Sequence, residues 1–309
     1  SSLKGEFENL IGELINRGLV GLALRAVRST MRQDQEVSFK LYRLVSQVLN
    51  EKELGWAEIL LWAEIVLALE ETRGELSMLH PDVSTYIADI VDKICERHKG
   101  AICHLAESML GTKLATLYDR RDNAQNRDFW LGRAENALKN LKTLSESNED
   151  TLVGDLANYL ELEFPSIPSK EALYSLLRIL NIGFNHHAAL IKLGVNAREA
   201  AWYAERACEE TKNNKLVSFI PCSLKARAYF IQGREEEAIK LFKENAENAV
   251  GRGFLGMDFI TIARVLAELI ASYVAEGDLE KALKEYKSYD SAIAINPKVW
   301  ALLTGLMVV

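Results

Sequence analysis

Residues 223–246 read SLKARAYFIQGREEEAIKLFKENA, two apolar stripes of helical period separated by a single glycine. Relative to Gly233, Ala226 and Tyr229 stand at −7 and −4, and Ala238 and Phe242 at +5 and +9. Residues 269–289, LIASYVAEGDLEKALKEYKSY, repeat those offsets with Ile270, Tyr273, Gly277, Ala282 and Tyr286. Ile11, Leu14, Gly18, Ala23 and Val27 give a third copy near the start. A looser one surrounds Gly194, with Leu190 before it and Ala200 one place late. The pattern describes a helical hairpin. The glycine ends the first helix in a backbone conformation that other residues resist. Small residues let the two helices approach, and the larger residues at −4 and +9 fill the space toward the neighbour. A hairpin of this kind leaves an apolar face uncovered, so hairpins must stack.

These residues resemble the tetratricopeptide-repeat family and its looser relatives. Phe242 and Tyr286 occupy that family's aromatic position, and Ala238 and Ala282 its most characteristic small position. The match is good in the last quarter of the chain, weak at the start and poor between residues 30 and 185. Gly233 and Gly277 are 44 residues apart, against a family repeat of about 34. The resemblance implies an all-α, right-handed superhelix of antiparallel hairpins. It also implies a concave groove, lined by the first helix of each hairpin, that holds a protein or peptide segment. Counted from each glycine, the groove positions are Ala188, Ile191 and Lys192; Arg227, Phe230 and Ile231; and Arg264, Ala267, Ala271 and Val274. The expected partner-binding residues are Lys192, Arg227, Phe230, Arg264 and Ala271, with the three cations suited to an acidic anchor. The family's carboxylate clamp requires Lys and Asn where Ser223 and Arg227 stand.

The rest of the chain agrees with a helical protein. Its 309 residues hold five prolines, where average usage of about 5% would give roughly 15. Apolar stripes at helical spacing recur, as in Leu41, Leu44, Val45 and Leu49, or Tyr86, Ile87, Ile90, Val91 and Ile94. Pro81-Asp82 and Asn296-Pro297 mark helix starts. Sustained period-2 alternation is absent, and 14 to 16 helices are expected. A polar stretch at Ser145–Asp150 and the two prolines of Glu163–Ser169 read as a linker region. It is either a longer loop or a hinge between halves 1–150 and 169–309 of a single array, 1–309.

Composition excludes several classes. Net charge is −7, which argues against non-specific nucleic-acid binding. The arginines between Arg120 and Arg133 are diluted by Asp119, Asp122, Asp128 and Glu135. No apolar run approaches the roughly 18 residues of a membrane span. Four cysteines, Cys95, Cys103, Cys208 and Cys222, are no disulfide framework, so reduced cysteines and a cytoplasmic location are the default. The chain starts Ser1-Ser2, which reads as a processed end or an expression scar, and carries no secretory pattern there.

Candidate chemistry is sparse. Cys95, His98, Cys103 and His104 include zinc-ligand types. On one continuous helix they cannot converge, and a break at Lys99-Gly100 would be needed. Buried cysteines and half-exposed histidines are expected instead, with no metal. In the vicinal pair His186-His187, His187 is expected to pack and His186 to be exposed. Glu58 and Glu64 flank Trp62 and read as partly exposed. Gly251-Arg252-Gly253 and Gly256 mimic a dinucleotide turn, but they follow a helix rather than a strand. No catalytic residue and no cofactor is expected. The leading reading is a binding scaffold rather than an enzyme; a regulatory module sensing a small molecule or peptide is the alternative. The apolar tail from Trp300 to Val309 either closes the fold, pairs with another subunit, or marks a cut chain.

Overall fold

The computed structural model describes residues 2–30, 35–49, 54–73, 82–212, 218–251, 253 and 259–288. Those residues form fourteen α-helices and, among them, no strand. The apolar tail and Asn296-Pro297 lie outside them. The fold is all-α, built from helix hairpins, as the sequence predicts.

Two compact units divide the chain, 1–184 and 185–309. The first holds α1 (Ser2–Asn16), α2 (Val20–Thr30), α3 (Gln35–Leu49), α4 (Trp56–Arg73), α5 (Val83–Arg97), α6 (Ala101–Arg120), α7 (Ala124–Ser147) and α8 (Glu149–Glu163). Helix α9 (Ser169–Leu193) runs across the boundary. The second unit continues with α10 (Ala197–Thr211), α11 (Phe219–Ile231), α12 (Glu235–Val250), α13 (Phe259–Ala275) and α14 (Leu279–Ser288).

Short connections make chain neighbours antiparallel. Between α7 and α8 only Asn148 intervenes, so the polar stretch at 145–150 is helix end, cap and helix start. The prolines lie in the five-residue link Phe164–Pro168, which is an inter-helix loop inside the first unit. Asp82, whose side chain accepts from Thr85 N, caps α5, so the helix begins at Val83 rather than at the proline.

The repeat offsets correspond to one backbone device. Gly18, Gly233 and Gly277 have φ of +76°, +77° and +81°. At each, the next residue's N–H returns to a carbonyl five back: Leu19 to Leu14, Arg234 to Tyr229 and Asp278 to Tyr273. The glycine's own N–H returns three residues, to Ile15, Phe230 and Val274. That pair of bonds is a Schellman cap, which satisfies orphan carbonyls at a helix end. Gly194 does not share it, because its φ lies outside the left-handed region. The looser match at Gly194 is thus a different turn.

Ala23 and Ala238 are fully buried and Ala282 nearly so, so the helices of each hairpin meet at an alanine. In the second unit α10 packs on α11, α11 on α12, α12 on α13 and α13 on α14. In the first unit contacts reach further. Helix α2 packs on α4 and α8, and α4 packs on α6 and α8. A Cβ at Gly21 of α2 would lie 2.7 Å from Leu162 Cδ1, so a larger residue there would have to turn the Leu162 side chain of α8 aside. Arg28 crosses the same junction. It donates to Glu64 at 2.7 Å and to both oxygens of Glu163 at 2.5 Å, while Lys113 reaches Glu64 at 3.4 Å. Burial opposes ionisation of Glu64, but Lys113 and Arg28 outweigh it and hold the carboxyl below its ordinary range. Glu64 is partly exposed, as expected, with 13% of its side chain open to solvent, and Glu58 is likewise half-buried.

The expectation for the cysteines is corrected. Cys95 is bonded to Cys103 and Cys208 to Cys222, and no free cysteine remains. The sequence hides this because each pair joins two successive helices, and sequence spacing alone does not say how one helix packs on the next. A cytoplasmic location rested on reduced thiols, and that ground is gone.

Candidate functional site

A cavity of about 560 Å³ lies among α11, α12 and α13. Arg227, Phe230, Ile231, Phe242, Ala271 and Val274 line it. Phe230 is 51% exposed, Ile231 55% and Val274 44%. Phe230 and Ile231 reach the surface on the helix whose Ala226, Ala228 and Tyr229 are buried.

Beside this apolar surface sits a polar cluster. Glu268 of α13 accepts from Ser223 Oγ of α11, and its other oxygen is buried with no partner. Burial pushes the Glu268 carboxyl up to about 7, against the pull of Ser223, Arg264 and Arg227. Burial, then Arg264, lowers the Arg227 guanidinium. His186 of α9 is pushed down to about 4 by burial and by Arg264, and its Nδ1 is buried without a partner. Among the described residues neither Arg227 nor Arg264 forms an ion pair. Two cations beside a half-ionised acid leave the cluster able to accept an anion.

Of the five expected contact residues, Arg227, Phe230 and Ala271 line the cavity, and Arg264 acts on Arg227, Glu268 and His186 through its charge. Lys192 is not brought to them; it pairs with Glu199 at 2.9 Å. Ala188, Ile191 and Ala267 are core, with exposures of 0%, 2% and 2%. His186, expected to be exposed, is half-buried, and so is its neighbour His187. Glu268 is not among the expected residues, although a lone carboxylate in the apolar run VLAELIASYVA of α13 is a usable signal.

The tyrosines at the −4 position form a repeated clasp. Tyr229 donates to Glu205 and lies under Arg234, whose guanidinium is 3.6 Å from the ring centre. Tyr273 donates to Glu247 at 2.8 Å and lies under Lys281 at 4.4 Å. Burial and the carboxylate hold both phenols above their usual range, Tyr229 at about 12. Each clasp ties one hairpin to the preceding helix.

The first unit holds a second cavity, of about 760 Å³. Tyr42 stacks on Trp62 at 4.9 Å, and Trp62 Nε1 donates to Tyr86 Oη at 3.0 Å. Burial, with help from Tyr86, pushes the Tyr42 phenol up to about 12. Arg43, Lys93, Arg97 and His98 also line it.

The basic stretch is spent on internal pairs. Arg121 binds Asp82 and Glu70, Arg127 binds Asp119 and Asp128, and Arg133 binds Glu107 and Asp92. Helix α12 precedes Gly251, so no strand leads into that glycine run. No described helix is long and apolar enough to cross a membrane.

No protein-family model matches the sequence, and no curated protein matches it. Among solved structures, a circular tandem repeat protein with novel repeat topology and enhanced subunit contact surfaces is similar at 14% identity and a TM-score of 0.27. The match covers 99% of this chain and 82% of that one. At that score it carries no argument, and the helical-repeat reading rests on the hairpins themselves.

Proposed function

We propose that this is a binding scaffold, not an enzyme, and that the α11–α13 groove takes a peptide segment with one large apolar side chain and one carboxylate. The observation that supports this most is the pairing of exposed Phe230, Ile231 and Val274 with Arg227 and Arg264, which have no ion-pair partners among the described residues. The apolar side chain would enter the cavity, and the carboxylate would meet the two guanidiniums. The likeness to tetratricopeptide repeats supports the same reading, since Arg227 and Phe230 fall on the first helix of a hairpin.

Random displayed peptides selected on the immobilised full chain should converge on an aromatic or aliphatic residue near Asp or Glu. Affinity should drop at least tenfold, about 1.4 kcal/mol, in Arg227→Glu combined with Arg264→Glu. Phe230→Ala should weaken it comparably. Unchanged binding in both variants would remove the groove from consideration. Displacement of the selected peptides by a synthetic peptide of residues 300–309 would assign the groove to the chain's own tail.

A second reading, a sensor of small molecules, is supported by the first-unit cavity. Its stacked Tyr42 and Trp62 beside Arg43 and Arg97 suit a flat anionic ligand. Quenching of tryptophan fluorescence by such ligands, lost in Trp62→Leu, would favour it.

A further inference from the structure

The turn between α5 and α6 has the break that convergence of Cys95 and Cys103 requires. Helix α5 ends at Arg97, His98 is extended at the cap, and Gly100 adopts a φ of +74° before α6 starts at Ala101. The break folds α6 back on α5 and brings the two sulfurs into bonding contact. One turn further along α6, a Glu107 carboxylate oxygen and both sulfurs all lie within 4.8 Å of one another. His104 Nδ1, buried and without a hydrogen-bond partner, stands 3.5 Å from Glu107 Oε2. His98 is not part of the group; its ring lies 6.5 Å from that of Trp56.

We propose that the reduced Cys95–Cys103 pair and Glu107 hold a thiophilic divalent cation of the zinc type. The same turn is then closed by a disulfide when oxidised and by a metal when reduced. The donor set is two thiolates and a carboxylate, with His104 next to the carboxylate as a fourth donor after rotation of its ring. Two thiolates on a tetrahedral zinc sit about 3.8 Å apart, so the sulfurs must separate by rotating about their Cα–Cβ bonds. Glu107 is already aimed. Arg133 Nε donates to its Oε1 at 2.7 Å, which leaves Oε2 toward His104. Burial opposes its ionisation, but His104 and Arg133 outweigh burial and keep it a carboxylate. Three ligand negative charges against a divalent cation leave −1, and Arg133 offsets that. Asp92, from α5, is engaged with Arg133 at 2.8 Å.

The chemistry balances in two steps. A dithiol or phosphine donor supplies two electrons, the Sγ–Sγ bond breaks, and two protons complete the thiols. A dithiol donor leaves as its disulfide and gives up the two protons itself; a phosphine leaves as its oxide, with one water supplying the oxygen and both protons. The cation then displaces both thiol protons, and no electron moves.

The test uses the full chain, reduced with a phosphine and freed of reductant without air. It should retain about one equivalent of Zn²⁺ through gel filtration, and the oxidised chain none. Co²⁺ in its place should give a thiolate charge-transfer band and the strong visible bands of a tetrahedral site. Cys103→Ser should abolish both signals. Glu107→Gln, which keeps both sulfurs and so serves if Cys103→Ser misfolds, should weaken Zn²⁺ at least tenfold. Cys208→Ser should leave them unchanged. A reduced chain that passes gel filtration without Zn²⁺ overturns the proposal. So does binding that survives Cys103→Ser or disappears in Cys208→Ser.

Discussion

The two units bury the same kind of helix by different connectivity. In residues 185–309, each helix from α10 onward packs on its chain neighbour, and the junctions are alanine contacts, tyrosine clasps and glycine caps a few residues apart. In residues 1–184, α2 reaches α8, and the junction is an ionic knot of Arg28, Glu64, Glu163 and Lys113. The contrast shows what a sequence repeat records. It records contacts that recur at a fixed distance along the chain. The Arg28–Glu163 bond spans 135 residues and occurs once, so it leaves no period.

The knot is where the comparison can be broken most severely. Arg28→Met leaves Glu163 without its cation and Glu64 with only Lys113. Removing one partner of a buried pair costs about 3–5 kcal/mol. Urea unfolding followed through Trp56, Trp62 and Trp130 should shift by that amount, and Trp202 of the second unit should shift less. Arg28→Met with Glu64→Met and Glu163→Leu should recover most of the loss, since an apolar replacement removes the stranded charges. If the single variant costs under 1 kcal/mol, the knot does not hold α2 to α8.

Two carboxyls, Glu64 in the first unit and Glu268 in the second, answer pH with opposite signs. Glu64 has a folded pKa below its unfolded value. Its contribution is present above the ordinary carboxylate range and is lost as pH falls through the folded pKa. Glu268 has a folded pKa of about 7 against 4.5. Its protonated form favours the fold, so its contribution is full below pH 4.5 and is lost as pH rises to about 7. The size is on the order of 3 kcal/mol. His186, at about 4 against 6.5, opposes it between those values, because its stability is present above 6.5 and lost on acidification. Arg227 and Ser223 on α11 and Arg264 on α13 are the other groups acting on Glu268. Stability of the wild type minus that of Glu268→Gln should therefore decline from pH 4.5 to 7. A flat difference would mean that Glu268 is hydrated in solution.

Legibility followed the same division. The fold class, the hairpin glycines and half of the groove were readable, since Gly233, Tyr229, Ala238, Arg227 and Phe230 lie within one hairpin. Ala188, Ile191 and Ala267 were misplaced because a groove offset counted from a glycine fixes a helix face only to within about one residue, or 100°. Counting from Gly194 added a further error, since its turn is of another kind. The disulfides were hidden because each joins two helices whose packing the spacing of the cysteines does not fix. Glu268 was visible as a carboxylate among apolar residues, but nothing local says that Ser223, 45 residues earlier, would receive it.

The smallest effect sharpens the comparison within the second unit itself. Gly233 and Gly194 occupy equivalent places in the repeat, yet only Gly233 is left-handed. A Cβ at either meets nothing within 4 Å, so substitution is felt by the backbone alone. Gly233→Ala should cost about 1–2 kcal/mol, the penalty for a side chain in that conformation. Gly194→Ala should be neutral or stabilise by about 0.4–1 kcal/mol, because alanine restricts the unfolded chain and strains nothing in the fold. Chemical denaturation of the two variants under one condition measures the difference directly. Equal losses at both would mean that the helix before Gly194 ends in the same Schellman cap, and that this hairpin is a full member of the repeat.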